Sequence, residues 1–173
     1  MPNIILVRNT YPDAGALERV IAYVKKTSLC GGYGIDPDFA YEQMMAVKKA
    51  YHTLQGVQLK HFFITFTNSE MGLLDFADIL NLGFQTGILF REYQMLYCIH
   101  LDSGHVHLHF VMNTTSFLDG HKYSDGLSMF NKLRYQLQEQ FPKEAVCLYH
   151  TASYDENNYY TVEKKGQFQF LEG

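Results

Sequence analysis

Three histidines, an aspartate and an asparagine stand close together as His100-x-Asp102-x4-His107-x-His109-x3-Asn113. Three neutral imidazoles can hold one divalent metal and leave coordination positions open to water or a substrate oxygen, which is how a catalytic site differs from a structural one. A phosphate oxygen suits such a position. The bound ion would act as a Lewis acid, stabilising the negative charge that builds up when a nucleophile attacks a phosphodiester. Asp102 suits a different role, accepting the other ring N–H of a ligating histidine. The competing reading for each histidine is a hydrogen-bonded structural residue on a strand.

The elements around these residues must aim them at one point. From His105 to Asn113 the chain alternates, and a β-strand sends alternate side chains to opposite faces. Val106, Leu108, Phe110 and Met112 form one stripe; His105, His107, His109, Val111 and Asn113 form the other. A slip of one residue would bury the histidines and expose the apolar set, so the alternation specifies its own register. Glu92 to Ile99 reads as the preceding strand, and Leu101 to Gly104 as the turn that returns His107 to near His100.

Elsewhere the periodicity predicts a short strand over Ile4–Val7 and a helix capped by Asp13 that runs through Ala14 to about Lys26. Leu29 to Asp36, with three glycines, reads as a flexible loop. Asp36-Pro37-Asp38 opens a helix toward Gln55, stopped by Gly56. Lys60 to Thr67 alternates as a strand, with Phe62, Ile64 and Phe66 on one face. A helix beginning at Ser69 buries Leu73, Leu74, Phe76, Ile79 and Leu80 and ends near Gly83 or Gly87. After the histidine hairpin come a turn at Leu118-Asp119-Gly120, a helix over about Leu127–Phe141 and a strand over Ala145–His150. The order predicts an α+β fold, a central, largely antiparallel sheet with helices packed on one face and the polar face open to a ligand. The expected organisation is one catalytic domain over 1–150 and a C-terminal extension over 151–173.

Composition narrows the class. A chain of 173 residues with 47% hydrophobic content, thirteen Phe, thirteen Tyr and no Trp can bury a substantial core. No stretch has the apolar length of a membrane helix and no signal-peptide pattern opens the chain, so a cytoplasmic location is expected. Cys30, Cys98 and Cys147 are odd in number and widely spaced, and read as reduced thiols. The formal net charge of −4 opposes tight electrostatic binding of nucleic acid.

The histidine motif, with all of His100, Asp102, His107, His109 and Asn113, resembles the third motif of the relaxases, the mobilisation nucleases of the HUH endonuclease superfamily. His61-Phe62-Phe63-Ile64-Thr65-Phe66 is similar to the second-motif strand of the MobA-like branch, and Asp119-Gly120 follows as it does there. The resemblance covers roughly residues 1–140 and implies an HUH fold, a divalent metal, Mg or Mn, on His100, His107 and His109, and a tyrosine nucleophile on an N-terminal helix. Ile21-Ala22-Tyr23-Val24-Lys25-Lys26 matches that helix, which makes Tyr23 the nucleophile, with Tyr11, Tyr33 and Tyr41 in reserve. It implies site- and strand-specific nicking and rejoining of DNA through a 5′-phosphotyrosine, initiating conjugative transfer or mobilisation of a plasmid or integrative element. His105 and Asp102 are both candidates for proton acceptor.

Lys25, Lys26, Tyr33, Thr65 and Asn113 are candidate DNA contacts, with Tyr33 placed to stack a base. Single-stranded DNA at a transfer origin is the expected partner, and the low basic content calls for an accessory DNA-binding protein. A rolling-circle replication initiator and a non-catalytic, metal-stabilised DNA-binding module are the alternatives. The first usually places its tyrosine after the histidine motif, and the second would form no covalent adduct.

Overall fold

The structure is a computed structural model, and it describes residues 2–8, 11–27, 29–101, 104–151 and 168–170. The elements run β1 (Asn3–Leu6), α1 (Ala16–Val24), β2 (Cys30–Tyr33), a 3-10 turn (Pro37–Phe39), α2 (Ala40–Ala50), β3 (Leu59–Phe66), α3 (Asn68–Met71), α4 (Phe76–Leu89), β4 (Tyr93–His100), β5 (Val106–Ser116), α5 (Ser128–Gln140), β6 (Cys147–Thr151) and β7 (Phe168–Phe170). The strands form one sheet in the order β2-β4-β5-β3-β1-β6-β7. Only the β1–β6 pairing is parallel among the described ones. The fold is α+β with a largely antiparallel sheet, as the order of elements predicts.

Alternation along β3, β4 and β5 divides the core in two. One face of the sheet puts Phe62, Ile64, Ile99, Leu108, Phe110 and Met112 against α4 and α5 through Ile79, Leu82, Phe130, Leu133 and Leu137. Phe62 stacks on Phe110 with centroids 4.6 Å apart, a pairing that adds about 1 kcal/mol to its area burial. The other face buries Ile5, Phe63, Leu96 and Val111 under Leu17, Val20, Ile21 and Val24 of α1 and Ala40 and Met44 of α2. Helices therefore cover both faces, not one. The apolar stripe of α1 needs a partner, and the apolar residues scattered among the histidines supply it.

The glycine-rich segment is an edge strand rather than a loop. β2 pairs antiparallel with β4, and glycine allows it to lie close: a Cβ at Gly31 would meet the Tyr97 ring. That register sets Cys30 opposite Cys98 with Cα atoms 4.1 Å apart, and the two sulfurs are bonded. The expected thiols are thus corrected at these two positions, and Cys147 is free.

The helix expected from Ser69 is two helices. Capping boxes at Thr67/Glu70 and Asp75/Asp78 start separate turns, so the chain resets between them and Leu73 is 79% exposed instead of buried. α2 stops at Ala50, short of Gln55, where His52 turns into the left-handed region at φ 55°. β7 pairs antiparallel with β6.

Candidate metal and nucleophile site

β4 and β5 deliver the histidines. His100 and His107 are direct cross-strand partners, and His109 sits opposite Cys98 two residues further along the same face. The His100 and His109 ring centroids are 4.4 Å apart, and those of His107 and His109 5.9 Å. All three residues are buried, under α1 rather than on an open face. Phe63 stacks on His109 at 4.8 Å and limits its rotation.

The same helix brings Tyr23 to the cluster. Its ring lies 5.4 Å from His100 and 6.0 Å from His109, centroid to centroid. The spacing of Val20, Tyr23 and Val24 puts all three on the sheet-facing side of α1, where they are buried. Lys26 Nζ stands 5.0 Å from the Tyr23 ring centroid, bringing a positive charge of the sign a DNA phosphate demands.

Hydrogen bonds fix the protonation pattern. His100 Nε2 is 2.8 Å from the Val24 carbonyl oxygen. A carbonyl can only accept, so Nε2 donates and the lone pair of the neutral ring lies on Nδ1. His61 Nε2 and His109 Nδ1 are 3.1 Å apart, and Tyr11 Oη is 3.2 Å from His61 Nδ1. Burial holds His61 down to about 3, with the neighbouring His100 adding to it. Burial, then the neighbouring His61, His100 and His107, holds His109 well below the ordinary histidine range. Both rings are neutral at neutral pH, the form in which imidazole binds metal.

Among the described residues, no group of three His, Cys, Asp or Glu side chains stands as a ready metal-holding cluster. The donor chemistry nevertheless fits a divalent ion. The three imidazoles lie on one sheet face, and the ring N–H of His100 has the backbone carbonyl partner typical of a ligating histidine.

The other candidates divide. Asp102 lies outside the described residues. His105 is exposed before β5 begins. Thr65 is half-buried and pairs directly with His107, on the histidine face. Lys25 Nζ reaches to 3.9 Å from Asp38, and with Lys26 it flanks the C-terminal end of α1.

Two candidates are placed differently from expectation. Tyr33 packs against Gly87 and Phe84 of α4 and donates to the Arg91 carbonyl at 3.0 Å, on the opposite face from Tyr23. It is not poised to stack a base at this site. Asn113 is fully buried: its amide donates to Gln94 Oε1 at 3.0 Å and the Met44 carbonyl at 3.3 Å, and its oxygen accepts from Thr115 N at 3.1 Å. It anchors α2 to the sheet instead of meeting DNA, because its strand face is roofed by that helix.

His61 and Tyr11 belong to the neighbourhood, although the sequence places His61 only at the start of the strand similar to the second motif and Tyr11 only as a reserve nucleophile. Alternation did put His61 on the face of Phe63 and Thr65. Tyr11 carried no local signal, since it reaches His61 across fifty residues.

A family described as "Relaxase: MobA/VirD2-like, nuclease domain" matches residues 22–144, a span that includes Tyr23 and all three histidines. The chain is also similar to the solved MobM relaxase domain (MOBV; Mob_Pre) bound to 26-nucleotide pMV158 oriT DNA. The identity is 16%, the coverage 83% of each chain and the TM-score 0.49. A comparison with curated protein sequences finds no match.

Proposed function

The chain belongs to the MobA/VirD2-like relaxase nuclease family, and from that premise we propose that it nicks and rejoins one DNA strand through Tyr23, assisted by a divalent metal. Its substrate is single-stranded DNA at a transfer origin, and the reaction starts conjugative transfer or mobilisation of a plasmid or integrative element. The observation that carries this reading is the approach of the Tyr23 ring to His100 and His109, at 5.4 and 6.0 Å. A packing tyrosine needs no such neighbours.

His100, His107 and His109 would hold the metal, Mg or Mn. When bound, it supplies Lewis-acid stabilisation of the charge developing on the phosphate. Tyr23 Oη attacks phosphorus, the new O–P bond forms, and the bond from phosphorus to the 3′ oxygen breaks. The phenol proton passes to a base, for which Asp102 and His105 before β5 are the candidates, and the departing oxygen takes up a proton to become a 3′-hydroxyl. Tyrosine ionises near pH 10 in water, so the attack needs both the acceptor and a polarised phosphate. The reverse step rejoins the strand without a nucleotide cofactor, because one phosphoester replaces another.

Lys25, Lys26 and Thr65 surround the site at positions suited to holding a DNA backbone. With a net charge of −4, the chain gains little from counterion release, so tight origin recognition calls on an accessory DNA-binding protein. No helix among the described residues is long and apolar enough to cross a membrane, and the proposed reaction belongs in the cytoplasm.

Denaturing-gel analysis with labelled single-stranded origin DNA and Mn tests the reading. Wild type should form a covalent protein–DNA adduct, and Tyr23→Phe and His107→Ala should each abolish it. Persistence of the adduct in Tyr23→Phe rejects the nucleophile. Metal binding with no adduct on any origin strand favours the DNA-binding module instead.

A further inference from the structure

A hydrogen-bonded chain runs from the segment after β1 into the histidine cluster. Tyr11 Oη meets His61 Nδ1 at 3.2 Å, and His61 Nε2 meets His109 Nδ1 at 3.1 Å. All three side chains are buried, at 2%, 3% and 2% exposure. Two neutral imidazoles facing each other nitrogen to nitrogen need one donor and one acceptor, so only two proton arrangements satisfy the pair.

In the first arrangement, Tyr11 donates to His61 Nδ1, His61 Nε2–H donates to His109 Nδ1, and the His109 proton sits on Nε2. In the second, His109 Nδ1–H donates to His61 Nε2, and His61 Nδ1–H donates to Tyr11 Oη. Only the second leaves the His109 lone pair on Nε2, the nitrogen facing away from His61. We propose that Tyr11 and His61 are positioning residues that support the second arrangement when a metal binds through His109 Nε2, His61 Nε2 accepting from His109 Nδ1–H and Tyr11 Oη accepting from His61 Nδ1–H. The inference rests on His109 being a metal ligand.

The backbone at Tyr11 supports a dedicated role. Its φ is 44°, in the left-handed region that residues other than glycine rarely occupy. The surroundings hold it there. Its carbonyl accepts from Gln58 N at 3.0 Å, and the Gln58 amide in turn donates to the Leu54 and Gly56 carbonyls at 2.9 and 2.7 Å. A buried tyrosine kept in that conformation, with its hydroxyl on a histidine that touches the metal cluster, acts through His61 rather than on substrate.

The test combines two readouts on the full chain. Long-range 1H–15N NMR of the histidine rings reports which nitrogen carries the proton, with and without zinc as a diamagnetic probe. Calorimetric titration with Mn reports affinity in wild type, Tyr11→Phe and His61→Gln. We expect zinc-loaded wild type to show His109 protonated on Nδ1. Tyr11→Phe leaves His61 Nδ1–H without its acceptor in the arrangement that metal binding through His109 Nε2 requires, and should weaken Mn about 10-fold, while remaining folded. His61→Gln should weaken Mn further. His109 protonated on Nε2 in the zinc complex, or a Tyr11→Phe protein with unchanged Mn affinity, overturns the inference alone. A wild type that binds neither zinc nor Mn overturns the metal reading and the inference with it.

Discussion

His100 Nε2 donates to the carbonyl of Val24 at 2.8 Å, joining the last residue of β4 to the helical turn that carries Tyr23. One side chain thus couples the position of the proposed nucleophile to that of the proposed metal.

Substitutions at His100 should separate those two tasks. His100→Ala leaves the buried Val24 carbonyl without this donor and should cost about 1–3 kcal/mol of stability. His100→Gln, whose amide can donate to the same carbonyl, should recover much of the stability but not the Mn affinity. Thermal melts and Mn titration of both variants check this, and wild-type Mn affinity in His100→Gln would remove His100 from the ligand set.

The bond between Cys30 and Cys98 ties edge strand β2 to β4 across 68 residues. Thiol counting under denaturing, non-reducing conditions should find one thiol, Cys147, and three after reduction. Closing a loop of that length restricts the unfolded chain by about 4 kcal/mol in the loop-entropy treatment, so reduction should lower the melting temperature markedly. Three thiols before reduction would show that the strands pair without the bond.

Tyr97 lies between two glycines. A Cβ at Gly83 on α4, like one at Gly31 on β2, would overlap its ring. Gly83→Ala should therefore destabilise by about 1–3 kcal/mol, and adding Tyr97→Leu should relieve much of that cost. Denaturant unfolding of the two variants measures both effects. Mn affinity should stay within about twofold of wild type, because α4 packs on the face away from the histidines.

Lys48 is fully buried, and its Nζ has no hydrogen-bond partner among the described residues. Burial, with the Lys122 charge adding, lowers it to about 7 from 10.5. Between those two values the unfolded chain binds more protons than the folded one, so stability rises with pH across this window. The gain from this group between pH 7 and pH 9 is about 2 kcal/mol by linkage. Lys48→Met should be more stable than wild type at pH 7 and show a correspondingly flatter pH dependence, read from urea unfolding at the two pH values. An identical slope in the variant would locate the titration elsewhere.

The histidine hairpin was legible because its signal is local. Alternation in His105–Asn113 and in Lys60–Thr67 depends on neighbouring backbone dihedrals, and those residues stand on the faces that alternation assigns. The stripe on α1 was equally clear in Leu17, Val20, Ile21 and Val24. Its destination was not, since an apolar stripe states that a helix must be covered but not which side of the sheet covers it.

Local pattern encodes an α+β chain whose histidines share one strand face, and a tyrosine on a helix that must pack somewhere. Tertiary structure alone decided that α1 roofs that face and brings Tyr23 to His100. It also turned the glycine segment into β2, sent Tyr33 to the α4 side, sealed Asn113 under α2 and set Tyr11 on His61. Each of these depends on strand register or helix docking between residues far apart in the chain. Such contacts follow from how all the apolar surfaces are buried together, and no periodicity of a single segment encodes that outcome.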